Sequence, residues 1–484
     1  MHKKLTQPLN KTTLISKNGI LRDKSFYIAI ITLALPIMLQ NLLASSLSFV
    51  DTVMIGQLGE IQIAAVGLAN QMFFLVILLF FGISSGASIF FAQFWGNKDL
   101  KSIHKTLGLA LTIGVSGAAI LSAVSIFLPE EIMRVFTPDK AVIASGAEYL
   151  KIVGISYIFS AVTFIFSAAL RSTEDARTPL IVSAISMTTN AIFNYLLIFG
   201  KFGFPQMGVR GAALATTGSR ALEMCLIIAI SYIKKKPTAA PFSEIFSFSK
   251  EFTAKFLKLV SPVILNEMAW SLGMVMYKIV FARMGTSIIA SANISESIQS
   301  LFFVVFIGTA NSAAILIGKK IGEKNQELAK AYASGFLVLG LVLGAVVGVL
   351  MASFSSLIPR VFNASPEILT ITTKSLLIMS LLLPIKVFNM HSIVGVLRSG
   401  GDTRFSLILE ITSVWCIGVP LAFIGGLVLH IPIYYLYGLV GLEELYKLVI
   451  GARRIRSGKW VNDLTETHIP AEPIVNSLSG TEIS

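Results

Sequence analysis

The sequence predicts an all-α integral membrane protein: about 12 transmembrane helices in two six-helix lobes, related by a pseudo-two-fold axis along the membrane normal. Three observations predict it. Apolar residues make up 54% of the 484-residue chain and charged residues 13%, the mean hydropathy is +0.78, and the apolar runs recur at the length of roughly 20 residues that a span requires. These runs are continuous, not alternating, which excludes a closed β-barrel. Lys and Arg gather in alternate connections, as orientation in a bilayer demands. Finally, the second half of the chain repeats the first.

In order, the spans are expected at 26–55, 66–94, 106–128, 147–170, 178–199, 209–233, 253–283, 292–317, 328–357, 368–396, 404–429 and 431–450. One set of connections holds Lys3, Lys4, Lys11, Lys98, Lys101, Arg171, Arg177, Lys234 to Lys236, Lys319, Lys324, Arg398 and Arg404. The other holds only Arg134, Lys140, Lys201, Arg210 and Arg360. Both termini are therefore expected in the cytoplasm, and the net charge of +13 belongs to this topology and not to a nucleic-acid partner. No short apolar region with a cleavage site precedes the first span, which is expected to act as its own membrane signal.

The expected organisation is a cytoplasmic N-terminal segment at 1–25, an N-lobe at 26–233, an inter-lobe linker at 234–252, a C-lobe at 253–450 and a cytoplasmic tail at 451–484. The linker carries a lysine run, two prolines and several serines, and reads as an amphipathic stretch on the inner membrane surface. The tail beyond about 458 is polar and aperiodic, hence expected to be disordered.

The repeat is specific. A shift of 226 residues pairs Phe26 with Phe252, Pro36 with Pro262, Gly59 with Gly285, Gly82 with Gly308, Gly96 with Gly322 and Lys98 with Lys324. At a shift of 227, Leu-Arg-Ser at 170–172 falls on Leu-Arg-Ser at 397–399, and Asp175 on Asp402. An even number of spans per half makes the two halves parallel, an arrangement that places a site between lobes at membrane depth and suits alternating access.

Few groups in the spans can carry chemistry. Asp51 is a carboxylate in the first span, and an acid inside a membrane is a functional-site hypothesis by default, against the alternative of a place near the headgroups. Its repeat equivalent is Tyr277. Asn190 and Asn194 are four apart and share a helix face, offering amides to a cavity or cation, or to interhelical bonds. Gln40, Asn41 and Gln71 fall in the same class. Glu267, Lys278, Arg283, Lys386 and His391 are further ionisable groups in spans. Lys386 is a candidate counter-ion for an acid, and His391 either a proton relay or a helix contact. The arginines and aspartates of LRSTEDAR and LRSGGDTR are expected to cap helix ends and pair locally. Cys225 and Cys416 lie in apolar spans and read as small packed residues. GxxxxGK[ST], HExxH and paired cysteines are absent, so neither an enzyme nor a resident metal or cofactor is expected.

Pro36 followed by FVDTVMIG, AAVGLANQ, FWGNKDLK, ALRSTEDARTPL, NAIFNYLLIFGKFG and VLRSGGDTR resembles the multidrug and toxic compound extrusion (MATE) family. SLGMVMYKIVFARMGT and GLEELYKL look like a bacterial branch of it. The resemblance covers about 25–455. It implies export of amphipathic organic cations in exchange for H+ or Na+, from a multi-pass monomer in the bacterial inner membrane. It also implies that Asp51 binds the coupling ion with Asn190 nearby. Asn194 stands where some proton-coupled members have a second acid. Glu267 resembles an acid of the sodium-coupled branch displaced by about three residues, and Lys386, Asn389 and His391 fill the neighbourhood of its other acid. The ion therefore stays open between H+ and Na+. Gln40, Glu267, Tyr277, Lys386 and His391 are the expected cavity residues. Two other readings remain: a lipid-linked oligosaccharide flippase, with a basic cavity, and a receptor or scaffold that moves nothing.

Overall fold

The computed structural model describes residues 17–362 and 364–465; the first 16 residues and the tail from 466 on, with the expectations attached to them, lie outside the described residues. Every regular element described is helical. The spans are α1 (Lys24–Gly56), α2 (Glu60–Gly96), α3 (Leu100–Phe127), α4 (Lys140–Val153 with Ser156–Ser172), α5 (Arg177–Phe199) and α6 (Val209–Ile233) in the first half. The second half has α7 (Lys250–Met284), α8 (Thr286–Gly322), α9 (Gln326–Ser353), α10 (Pro366–Leu397), α11 (Thr403–Val428) and α12 (Ile433–Val440 with Leu442–Arg456).

Ten of these helices are long and apolar enough to cross a membrane, and α4 makes an eleventh although it bends by 50° at its break. The twelfth span, expected as one helix at 431–450, is two short helices that meet at Gly441. The second opens with Glu443 and Glu444 in its first turn and ends on Arg453, Arg454 and Arg456, charges that complement the helix dipole at both ends.

The repeat is written into the turns. Lys98 and Lys324 both adopt left-handed φ, 59° and 56°. Each is followed by a short polar residue that caps the next helix: Asp99 accepts from Ser102 N at 3.1 Å and Asn325 from Leu328 N at 3.1 Å. Satisfying a free N–H in this way fixes where α3 and α9 begin.

In space the lobes exchange pieces. The half of α1 before Pro36 packs Phe26, Ile30 and Leu33 against Leu316, Tyr332 and Phe336 of α8 and α9. The matching half of α7 packs Phe256, Val260 and Val263 into the core of α2, α3 and α4. The far halves return to their own lobes, Ile55 beside Val66 and Ala69, and Tyr277 beside Ala422 and Leu436. Lobe boundaries drawn along the chain thus differ from the packing, because both helices cross at their prolines.

The lobes meet at the basic end, where Lys98 and Lys324 lie. Gly96 leaves no room for a side chain against the backbone carbonyl of Lys319, and Gly322 none against that of Gln93. Residues 93 and 319 are themselves one shift apart, so the two contacts are symmetry mates. Higher up, Gly82 abuts Ile264 and Gly308 abuts Met38, again reciprocal positions. Only glycine permits backbones this close. The basic end is therefore closed, with the two cavities described below lying between the lobes.

Residues 457–465 depart from the expected disorder. Asn462 N donates to Gly400 O at 2.9 Å, Leu464 N donates to Gln93 Oε1 at 2.8 Å, and Lys255 Nζ donates to Leu464 O at 2.8 Å. Trp460 is 1% exposed. This strap ties α2, α7 and the α10–α11 turn together across the closed end. The linker is likewise held: Lys236 pairs with Asp175 at 2.8 Å, and His104 bridges Glu244 at 2.6 Å and Pro237 O at 3.0 Å. Its helical part is only Phe242–Ile245, whose Phe242 and neighbouring Phe246 are exposed.

Candidate functional site

Asp51, Asn190 and Asn194 come together where the far half of α1 crosses α5. Asn194 Nδ2 donates to Asp51 Oδ1 at 2.6 Å and to Asn190 Oδ1 at 3.1 Å. Asn190 Nδ2 reaches Ser219 at 3.3 Å and Thr216 at 3.5 Å, both on α6. Both asparagines are buried, and their spacing puts them one above the other on a single face. With the Asn190 amide turned end for end, its nitrogen lies 3.2 Å from Asp51 Oδ1 and its oxygen 3.3 Å from both Thr216 N and Ser219 Oγ, so both ends of the amide meet complementary partners. No basic side chain among the described residues lies within 4 Å of Asp51.

Among the described residues, two cavities lie between the lobes. The first, about 270 Å³, is lined by Gln40, Asn41 and Arg171, by Arg220 with Glu223, by Arg398, and by a set of serines. The second, about 310 Å³, is lined by Trp270, Phe302, Phe303 and Met390, and by Glu267, Lys386, Glu410, Glu444 and Lys447. They share Ile77, Phe81, Ile307, Val394 and Arg398.

Arg171 and Arg398, expected to serve local pairing in cytoplasmic turns, instead reach into the cavities. Arg171 Nη1 donates to Gln40 Oε1 at 3.2 Å, and Gln40 Nε2 donates to Ser183 at 2.9 Å. Arg398 Nη2 donates to Asn266 Oδ1 at 2.5 Å and pairs with Glu267 at 2.6 Å. Glu267 is thus neutralised by an arginine from a motif assigned to structure. Gln40 and Asn266 are one repeat apart, so the arginine–amide tie is common to both lobes.

The C-lobe holds a charged cluster that the sequence reading did not single out. Lys447 bonds Glu410 at 2.9 Å and lies 3.9 Å from Glu444. Asn389 donates to Glu444 at 2.7 Å, and Tyr277 donates to Glu443 at 2.6 Å. The available signal was the Glu443-Glu444 pair three and four residues before Lys447, which puts acid and base on one face of a helix in a span.

Two expected cavity residues, Tyr277 and His391, line neither cavity. Tyr277 is buried against Glu443. His391 is fully buried, with Nδ1 at 2.9 Å from Val387 O and Nε2 at 3.0 Å from Thr309 Oγ1; it joins α10 to α8, since both ring nitrogens are used by helix partners. Lys386 faces the second cavity but makes no ion pair within 4 Å among the described residues; Lys447 takes the counter-ion role expected of it. Lys278 pairs with Glu296 at 2.9 Å on an exposed face.

The MatE family model matches residues 36–196 and 262–424, two blocks whose starts are one repeat apart. The uncharacterized transporter YisQ of Bacillus subtilis is 29% identical over 94% of this chain and 99% of its own. The probable multidrug resistance protein NorM of Thermotoga maritima is 27% identical over 89% of this chain and 92% of its own. A solved MOP superfamily transporter from Pyrococcus furiosus, described as having a binding pocket of reverse polarity, superimposes with a TM-score of 0.81 at 19% identity, covering 93% of this chain and 99% of that one. Matched over more than half its length by the family model, and folded as a two-lobe bundle of spanning helices, the chain belongs to the MatE family of multi-pass membrane transporters.

Proposed function

We propose that this transporter is a secondary active exporter of small organic compounds, working by alternating access in antiport with H+ or Na+ taken at Asp51. It sits as a monomer in the bacterial inner membrane with both termini in the cytoplasm. The observation that carries the reading is the Asp51 carboxylate, held at membrane depth by the buried Asn194 and without a basic partner within 4 Å among the described residues. A permanent structural charge would be paired; this one is arranged to take up and release a small positive ion.

With the basic end closed, the described form is the outward-facing one. Ion binding at Asp51 changes the charge where α1 meets α5. Because α1 also packs on the opposite lobe before Pro36, a bend at that proline alters the inter-lobe contact. Coupling requires that ion and cargo prefer different states. The flippase reading is less well supported: a diphosphate needs a strongly basic cavity, and of the three arginines that line the first cavity two are paired, Arg220 with Glu223 and Arg398 with Glu267.

The test is flux of ethidium and of fluorescein in proteoliposomes under separately imposed Na+ and H+ gradients. Asp51→Asn should reduce gradient-driven flux to background while the purified protein keeps its melting temperature. Wild-type rates in that variant would sink the proposal.

A further inference from the structure

We infer that Arg171 is the docking point for the anionic head, a carboxylate or a phosphate, of an amphipathic cargo whose apolar body lies in the adjoining aromatic cavity. This rests on the reading of these cavities as the cargo site and assigns the cargo its charge. It runs against the organic cations expected from the sequence.

The repeat supplies an internal comparison. Arg171 and Arg398 are twins, and each bonds an amide at the same position of the facing helix, Gln40 or Asn266. The next residue along that helix differs. In the C-lobe it is Glu267, 2.6 Å from Arg398; in the N-lobe it is Asn41, which lines the first cavity. Arg398 therefore has its carboxylate and Arg171 has none within 4 Å among the described residues. The remaining arginine of that cavity, Arg220, is paired with Glu223 at 2.8 Å. One guanidinium is thus left without a counter-ion in a partly buried position, an arrangement that favours an incoming anion.

The neighbouring cavity, entered past Phe81 and Val394, offers Trp270, Phe302, Phe303 and Met390 to an apolar body. A cationic head would instead stand beside Arg171, where like charges repel.

The experiment is equilibrium dialysis of the full-length purified protein with radiolabelled 1-naphthaleneacetate and with its amide, in the absence of any gradient. Wild type should prefer the acid by about tenfold or more. Asn41→Glu gives Arg171 the internal acid that Arg398 already has; it should erase the preference without lowering the melting temperature. Arg171→Gln should erase it as well. Equal binding of acid and amide to wild type, or a preference that survives in Asn41→Glu, overturns the inference. Repeating the measurement in nanodiscs identifies the natural head: displacement of the acid by phosphatidylglycerol but not phosphatidylcholine assigns a lipid head group, and binding unaffected by either assigns a free amphiphile. Since no ion gradient is involved, failure here leaves the efflux proposal standing, and failure of the Asp51 test leaves this result standing.

Discussion

Asp51 and Tyr277 hold the same position in the two halves, yet the charge has not vanished from the second. Glu443, which Tyr277 bonds at 2.6 Å, is the twin of Thr216, which Asn190 contacts at 3.5 Å. In the N-lobe the acid is on the first helix of the half and the hydroxyl on the sixth; in the C-lobe they have changed places. Lys447 holds the C-lobe acids together. Lys447→Met should cost about 3–5 kcal/mol, because it strands buried carboxylates without their cation, whereas Lys447→Arg should cost much less; thermal melting in detergent measures both. The N-lobe group was legible because Asp51, Asn190 and Asn194 lie well inside spans, where polarity is conspicuous. Arg171 and Arg398 were not, since each sits at the end of a span and its long side chain decides, by reaching inward along an apolar surface, which side of that boundary its charge occupies.

Among the elements, the order of the spans was the most readable and the breaks within them the least. The apolar content of α4 and of α12 is nearly continuous, so hydropathy cannot register the 50° bend in α4 or the division of α12 at Gly441. The linker shows how a charged run becomes structure. Burial alone would raise the Asp175 carboxyl from its ordinary 3.8, but bonds from Lys236 and Thr178 outweigh this and hold it lower. Its folded value is thus below its unfolded one. The stabilisation is present in full above the ordinary value and is lost as pH falls through the depressed one. Wild type should therefore lose more stability than Asp175→Asn as pH is lowered into that range, and above it Asp175→Asn should be the less stable of the two. Melting temperature against pH in both proteins checks the sign.

At the scale of the molecule, the repeat foretold the two-lobe plan, and the crossing of α1 and α7 into opposite cores is its physical completion. That crossing could not be read in advance, for Phe26 and Phe256 announce only that they are buried, not by which partner. The closed basic end depends on Gly96 and Gly322. Gly96→Leu should force the lobes apart there and raise the population open on that side. Spin labels at Lys98→Cys and Lys324→Cys, both exposed symmetry mates, should report a longer mean distance in the Gly96→Leu background than without it. An unchanged distance distribution would show that the glycines do not set the gap.

The strap that crosses this end has an optical consequence. Trp460 rests in an apolar nest with Ile20, Phe26 and Leu397, while its neighbours Asn462 and Leu464 hold the α10–α11 turn and α2. If the basic end opens, those anchors separate and the indole must enter water. A variant with Trp95, Trp270 and Trp415 replaced by phenylalanine would leave Trp460 as its sole indole. Its emission should be blue-shifted in the described form, and each opening of the basic end should appear as a shift to the red. The protein would then signal its conformational cycle by its own fluorescence, with no label attached.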